Sequence, residues 1–245
     1  MKGAGGSLEI LFLGTGSPAS YEGRALSSFV VNGRYLFDAG PMALQQLKKA
    51  QVHPSDIQVI LISHYHADHF FGLPLLLLEY WASGRENELR IIGPPGIEAR
   101  TEALLDLAFP ELPRREGGYR RRYIEVDDGV SGEAAGLQFE AFEVEHVPSL
   151  RCFGYRAVIG GRLLAYSGDS VLCPGLLRLV ARADVMVLNC SSRGDPVHLA
   201  FGDLATVINY APATATTIVS HVDGPPPAAG GPNVCIASDL EVFRF

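Results

Sequence analysis

With 245 residues, 47% of them hydrophobic, the chain can bury most of its apolar surface in one core, and we read a single domain over residues 1–245. The formal net charge of −7 disfavours capture of nucleic acid by bulk charge and leaves only a local basic patch as a route to it. The longest apolar run, residues 70–78, is broken by Gly72 and Pro74 and falls far short of the ~20 residues that span a bilayer; no run of signal-peptide length follows Met1, so we expect a cytoplasmic protein without a membrane partner.

Residues 8–13, 28–31 and 35–37 read as consecutive strands, the last two joined by a tight turn at Asn32-Gly33. Residues 42–50 read as a helix, 59–62 as a buried strand, 73–81 as a helix, 89–92 as a strand, and 97–109 as a helix with apolar residues at helical spacing. The second half repeats the theme, with strands at 137–144, 154–159, 163–166, 185–188 and 216–219 and helices at 175–183 and 204–210. Short β runs alternating with helical patterns predict a layered α/β fold, and two strand-then-helix halves predict a sandwich with its helices outside. Cys152, Cys173, Cys190 and Cys235 have no ligand spacing and read as reduced, mostly buried thiols.

The chain has seven histidines, yet three fall within the six residues His64-Tyr65-His66-Ala67-Asp68-His69, directly after the apolar strand that ends at Ile62. In an extended segment His64 and His66 project on one side towards one metal ion; Asp68 and His69, in the turn that opens the next helix, address a second. His146, Asp169 and His221 each lie just past the end of a predicted strand. Open α/β sheets gather their ligands outside the carboxyl ends of strands, so these residues can converge with the cluster despite their separation in sequence. All the donors are nitrogen or oxygen, which suits zinc first, with manganese and iron as alternatives.

The run His64-Tyr65-His66-Ala67-Asp68-His69 resembles the His-x-His-x-Asp-His signature of metallo-β-lactamase-fold hydrolases. Leu13-Gly14-Thr15-Gly16-Ser17 and Phe37-Asp38-Ala39-Gly40 look like that family's opening strands, Ser167-Gly168-Asp169 like its bridging-aspartate turn, and Val219-Ser220-His221 like its last ligand. The resemblance implies an αββα four-layer sandwich holding two divalent metal ions. His64, His66 and His146 would bind the first, Asp68, His69 and His221 the second, and Asp169 would bridge them; Asp68 would count among the catalytic residues as well. It also implies attack by a metal-bridging hydroxide, since two cations lower the pKa of bound water and clamp the developing oxyanion. Asp38 is a candidate for orienting a ligand histidine by a hydrogen bond, its alternative being an ordinary turn aspartate.

Leu13 to Ser17, Arg24-Ala25-Leu26-Ser27-Ser28 and His198-Leu199 are most similar to the phosphodiesterase branch of the family, which includes the tRNA-trimming endonucleases (RNase Z). Two features depart from those endonucleases. Where they carry a glutamate-containing motif, this chain has Asn189-Cys190-Ser191-Ser192, and only 22 residues separate His146 from Asp169, too few for a long tRNA-gripping arm. The expected substrate is therefore a small phosphodiester such as a cyclic nucleotide or cyclic sugar phosphate, with nucleic acid not favoured. Lactones, thioesters and sulfate esters are the alternatives, alongside a non-catalytic metal-binding scaffold, and a homodimer is one assembly open to the chain. An iron redox member would more often carry glutamate in place of His66.

His198 resembles the family's non-ligand histidine beside the scissile bond and is expected to act as general acid, whereas His53, before Pro54, reads as structural. The stretch from Arg114 to Tyr123 holds five arginines with interleaved tyrosines and could grip phosphate. Its neighbours Glu111, Glu116, Glu125, Asp127 and Asp128 blunt that charge, and a solvated loop between a helix and a strand is the favoured reading.

Overall fold

Alternate residues of the strand Glu9–Gly14 (β1) are buried on opposite sides: Ile10 and Phe12 face a second sheet, Leu11 and Leu13 a layer of helices. This two-sided burial explains why the strands read as continuous apolar runs rather than as alternating patterns. The computed structural model describes residues 6–20, 23–112, 118–192, 195–224 and 233–245. From β1 the first sheet continues through Ser28–Val31 (β2), Tyr35–Phe37 (β3), Val59–Leu61 (β4), Leu89–Gly93 (β5) and Arg121–Glu125 (β6), with β3 to β6 mutually parallel. The β2–β3 hairpin turns at Asn32 and Gly33, both at positive φ, as the tight turn expected there requires.

The second sheet holds Ser131–Ala134 (β7), Leu137–Val144 (β8), Cys152–Ile159 (β9), Arg162–Tyr166 (β10), Val185–Ser191 (β11), the short Leu199–Ala200 (β12), Thr216–Ser220 (β13) and Val234–Ile236 (β14). Antiparallel pairing of β9 with both neighbours leaves β8, β10, β11 and β13 pointing the same way. The last strand, Val242–Arg244 (β15), returns to the first sheet and pairs with β1.

Ala43–Lys49 (α1), Leu73–Ala82 (α3) and Ile97–Ala108 (α4) cover the outer face of the first sheet, with the short Ala67–Phe70 (α2) at its end. Pro174–Val180 (α5) and Leu204–Tyr210 (α6) cover the second. Leu47, Leu76 and Leu105 pack from the helices onto Leu36, Ile60 and Ile91, and each such side chain contributes roughly 1.5–3 kcal/mol by leaving water. Between the sheets Phe12, Phe29, Phe37, Tyr155 and Tyr166 form an aromatic centre in which Phe29 and Phe37 stack at 4.8 Å. The result is the expected αββα sandwich. None of the described helices is long and apolar enough to cross a membrane.

The expected elements appear with shifts of a few residues at their ends; the helix expected at 175–183 ends at Val180. Five strands lacked a local signal: β6 and β7 are charged or exposed edge strands, and β12, β14 and β15 are two or three residues long.

Candidate metal centre

The ends of β3, β4, β8, β10 and β13 meet along one rim of the sandwich, and every sequence-predicted ligand sits there. Asp38 follows β3, His64 to His69 follow β4, His146 follows β8, Asp169 follows β10, and His221 follows β13. Two glycines let the segments approach. A Cβ on Gly72 would come 2.2 Å from the Gly40 carbonyl oxygen, and Gly168, at φ 57°, would place one 2.7 Å from Ser63 Cβ. The sheets are tied at the same rim by Phe153 N–H donating to the Ser63 carbonyl and by Tyr155 Oη donating to Ile62 O at 2.8 Å.

His64, His66, His146 and Asp169 bring one ligand atom each within 4.8 Å of one another, and so do Asp68, His69, Asp169 and His221. Asp169 Oδ2 is common to both groups. It lies 3.7 Å from His64 Nε2, 3.2 Å from His69 Nε2, 3.9 Å from His146 Nε2, 3.5 Å from His221 Nε2 and 3.2 Å from His198 Nε2. Asp68 Oδ2 lies 3.1 Å from His221 Nε2 and 3.2 Å from His69 Nε2, while His66 Nδ1 lies 3.1 Å from His146 Nε2.

The opposite ring nitrogens are committed elsewhere. His64 Nδ1 donates to Ser63 Oγ at 3.0 Å, His69 Nδ1 to Asp38 Oδ2 at 2.7 Å, and His146 Nδ1 to the Val197 carbonyl at 2.7 Å. Each such bond fixes the tautomer that leaves a lone pair on Nε2. The Nε2 atoms of His64 and His69 are buried without a hydrogen-bond partner, although carboxylate oxygens stand close to both. Buried polar groups normally find partners. Lone pairs that converge on common points, from nitrogen and carboxylate oxygen only, fit divalent cations of the zinc class at two adjacent positions.

Asp38 orients this arrangement rather than merely making a turn. Wholly buried at φ 55°, it accepts from Ser63 N at Oδ1 (2.7 Å) and from Ser63 Oγ (2.7 Å), His69 Nδ1 (2.7 Å) and Tyr166 Oη (2.5 Å) at Oδ2. For His64 and His146 the electrostatics are consistent with ligation, whereas His69 would have to release a proton to bind a cation. Burial lowers the pKa of His64 well below 6.5 and lowers that of His146, so both rings are neutral, as a ligand must be. Burial alone would raise Asp169, yet the charges of His221 and His69 and a hydrogen bond from His198 hold it well below the usual carboxylate value. Burial opposes charge on His69 too, and Asp169, Asp38 and Asp68 together raise it well above the ordinary value.

His198 stands beside the ligand groups, half-buried, in the loop before β12. Its Nδ1 is 2.9 and 2.8 Å from the two oxygens of Asp195, whose Oδ1 also accepts from Val197 N and His198 N. Sequence reasoning missed Asp195; its signal was a carboxylate three residues before a histidine in Asp195-Pro196-Val197-His198. It also gave Asn189 no task, although the Asn189 side chain donates to Asp169 Oδ1 at 2.9 Å.

Other expectations fall away from the rim. His53 caps the 3-10 turn Pro54–Asp56, accepting from Ser55 N, a structural role as expected. Arg114, Arg115 and Glu116 lie outside the described residues. Arg121 and Arg122 open strand β6 rather than sitting in a loop, and parallel register sets Arg121 beside Leu89, at the sheet end opposite the metal rim. Arg121 is engaged by Glu102 at 2.9 and 3.1 Å, and Tyr123 Oη donates to the same carboxylate. Both side chains are thereby tied to Glu102. All four cysteines are free, with only Cys235 partly exposed.

The sequence matches the profile of the beta-lactamase superfamily domain over residues 33–222. Ribonuclease Z of Listeria monocytogenes serotype 4a (strain HCC23) is 33% identical over 175 residues, covering 69% of this chain and 55% of that protein. Ribonuclease BN of Proteus mirabilis (strain HI4320) is 36% identical over 157 residues, 61% of this chain and 49% of that one. The chain thus matches about half the length of these relatives. Among solved structures, the metallo-beta-lactamase fold protein YhfI from Bacillus subtilis superposes with a TM-score of 0.78 at 17% identity, over 98% of this chain and 100% of the other. The short form of human tRNase Z gives 0.76 at 24% identity, over 96% and 98% of the two chains. A diphosphatase from the PhnP family gives 0.72 at 18% identity, over 97% and 98%. These structural likenesses speak for the fold. Together with the profile match and the buried His/Asp rim, they show that the chain belongs to the metallo-β-lactamase superfamily.

Proposed function

We propose that this protein is a dinuclear metal-dependent hydrolase of small phosphodiesters. The observation that carries the reading is the position of Asp169 Oδ2, within 3.9 Å of five imidazole Nε2 atoms, two of them buried and without hydrogen-bond partners. His64, His66 and His146 would hold one ion and Asp68, His69 and His221 the other, with Asp169 within reach of both; zinc is the metal the donor set favours. When bound, two such cations supply a water of lowered pKa and positive charge for the oxyanion that develops on attack. The chain's own residues do the rest. Asp38 and Ser63 hold the rings of His69 and His64, and Asp195 holds His198 with Nε2 aimed at the rim. As the new P–O bond forms and the ester P–O bond breaks, His198 Nε2 gives its proton to the departing oxygen.

The substrate class rests on what fills the segment between His146 and Asp169. There the chain forms β9 and β10, a plain hairpin closed at Gly160-Gly161, with no projecting arm. A small diester needs only the rim itself. The stretch Asn189-Cys190-Ser191-Ser192 stands where the endonucleases have a glutamate-containing motif, and Asn189 is engaged as a donor to Asp169. Metal analysis of the purified protein, followed by turnover of cyclic nucleotides, aryl phosphodiesters, lactones, thioesters and a precursor tRNA, tests this reading. Two ions per chain with turnover confined to small phosphodiesters is the expected result. Efficient trimming of the precursor tRNA, or a preference for lactone or thioester, would overturn the substrate class, and absence of bound metal would overturn the reading as a whole.

A further inference from the structure

Asp169 has two carboxylate oxygens with different neighbours. Oδ2 faces the histidines of both metal groups, whereas Oδ1 accepts a hydrogen bond from Asn189 Nδ2 at 2.9 Å. Asn189 Nδ2 also lies 3.3 Å from Tyr166 Oη, which donates to Asp38 Oδ2 at 2.5 Å, and Asp38 Oδ2 accepts from His69 Nδ1 at 2.7 Å. His69 Nε2 then returns to Asp169 Oδ2 at 3.2 Å. The five side chains Asp169, Asn189, Tyr166, Asp38 and His69 form a closed, buried circuit with the metal positions on one side. Asn189 is the one amide in it. Its amide hydrogens are the donors that occupy Oδ1, and it is fixed in place from β11, where its backbone N–H donates to Ser167 Oγ at 3.0 Å.

A carboxylate that bridges two cations through one oxygen must be kept from turning to chelate one of them with both. A donor on the other oxygen does this, because rotation would abandon a charge-assisted hydrogen bond in a buried site. We propose that Asn189 is a positioning residue which commits Asp169 to sharing Oδ2 alone, so that the second metal position exists because Asn189 holds the first carboxylate still. This rests on the dinuclear reading above. Asparagine suits the task because it donates at every pH, whereas a carboxylate in its place would repel Asp169.

The test is metal affinity, measured by competition with a chromophoric chelator on protein carrying Asn189→Ala or the near-isosteric Asn189→Asp, with zinc as the probe. Wild type should take up two ions per chain. The variants should keep one with affinity within about threefold of wild type and bind the other at least tenfold more weakly, the range typical when an outer partner of a metal ligand is lost. Thermal unfolding of the metal-free proteins reports the fold separately; if the alanine variant does not fold, the aspartate variant, which preserves shape, decides. Tyr166→Phe, which leaves the Asn189–Asp169 bond in place, should weaken the second ion less than either variant. Two ions bound by the Asn189 variants with unchanged affinities, or equal loss of both ions from a folded variant, would overturn the positioning role. Failure of wild type to bind two ions would instead sink the dinuclear reading on which it rests.

Discussion

His198 Nδ1 lies 2.8 Å from Asp195 Oδ2, and this pairing leaves Nε2 3.2 Å from Asp169 Oδ2, the oxygen common to both metal groups. A histidine so held faces the metal rim without belonging to either group. His198→Ala should therefore keep its metals, lose roughly 100- to 10,000-fold in kcat on an alkyl phosphodiester, and lose little on a nitrophenyl one whose leaving group departs without a proton. Asp195→Asn should shift in the same direction by a smaller factor. Steady-state kinetics on the two substrates and metal content check this; equal losses on both would remove the general-acid role.

The same pairing has a thermodynamic consequence in the metal-free protein. Burial disfavours charge on His198, but the hydrogen bond and charge of Asp169, and then of Asp195, raise its pKa from 6.5 to about 9. A folded value above the unfolded one means that the charged ring stabilises the fold fully below about pH 6.5, and that this contribution is lost as pH rises through about 9. Denaturant unfolding in excess chelator should show wild type ahead of His198→Ala near pH 6 and the gap closing above about pH 10. A gap that widens with pH would contradict the sign.

Metal retention should run the other way along the pH axis. Burial, the largest influence, keeps His64 and His146 below 6.5, so both rings remain neutral and ligating as the solution is acidified through that value. Bound metal, followed by elemental analysis after equilibration at graded pH, should fall on acidification, with the ion of the His64, His66 and His146 group kept to lower pH than the one that must displace a proton from His69. His66→Ala should lose metal and turnover together, and full occupancy with normal turnover in that variant would remove it from the ligand set.

Asp38→Asn should damage the centre without touching a metal position. Its two oxygens accept from four donors, and an amide can replace only one of those acceptors while setting N–H against N–H or O–H at the other. We expect metal affinity to fall 10- to 100-fold and stability by about 3 kcal/mol, measured by chelator competition and by denaturant unfolding. A variant as stable as wild type would show that the buried network tolerates an amide.

Arg121→Ala should leave KM unchanged, because the guanidinium is engaged by Glu102 at the sheet end opposite the rim. Its loss leaves the largely buried Glu102 carboxylate with the Tyr123 hydroxyl as a remaining donor and should cost up to about 3 kcal/mol of stability. A raised KM at constant kcat would return the arginines to substrate capture.

Much of this centre is legible in the sequence because its chemistry is locally dense. His64, His66, Asp68 and His69 sit within six residues on one turn, and the apolar runs before His146, Asp169 and His221 mark each as a strand-end residue. The apolar runs also gave the layers, since strands buried on both faces and helices with one apolar face admit few arrangements. The pairing of β1 with β15 was not legible, as it joins segments more than two hundred residues apart through backbone hydrogen bonds that carry no side-chain signature. Nor were the tasks of Asn189, Tyr166 and Asp195. An asparagine in a strand and an aspartate before a proline are ordinary residues until folding sets Asn189 beside Asp169 and swings His198 against Asp195. Ligand identity follows from residue type and spacing, which the chain carries locally; which oxygen of Asp169 is shared, and which histidine is left to move a proton, depend on distances of about 3 Å that only the pairing of β11 with β10 and β12 in the folded sheet sets.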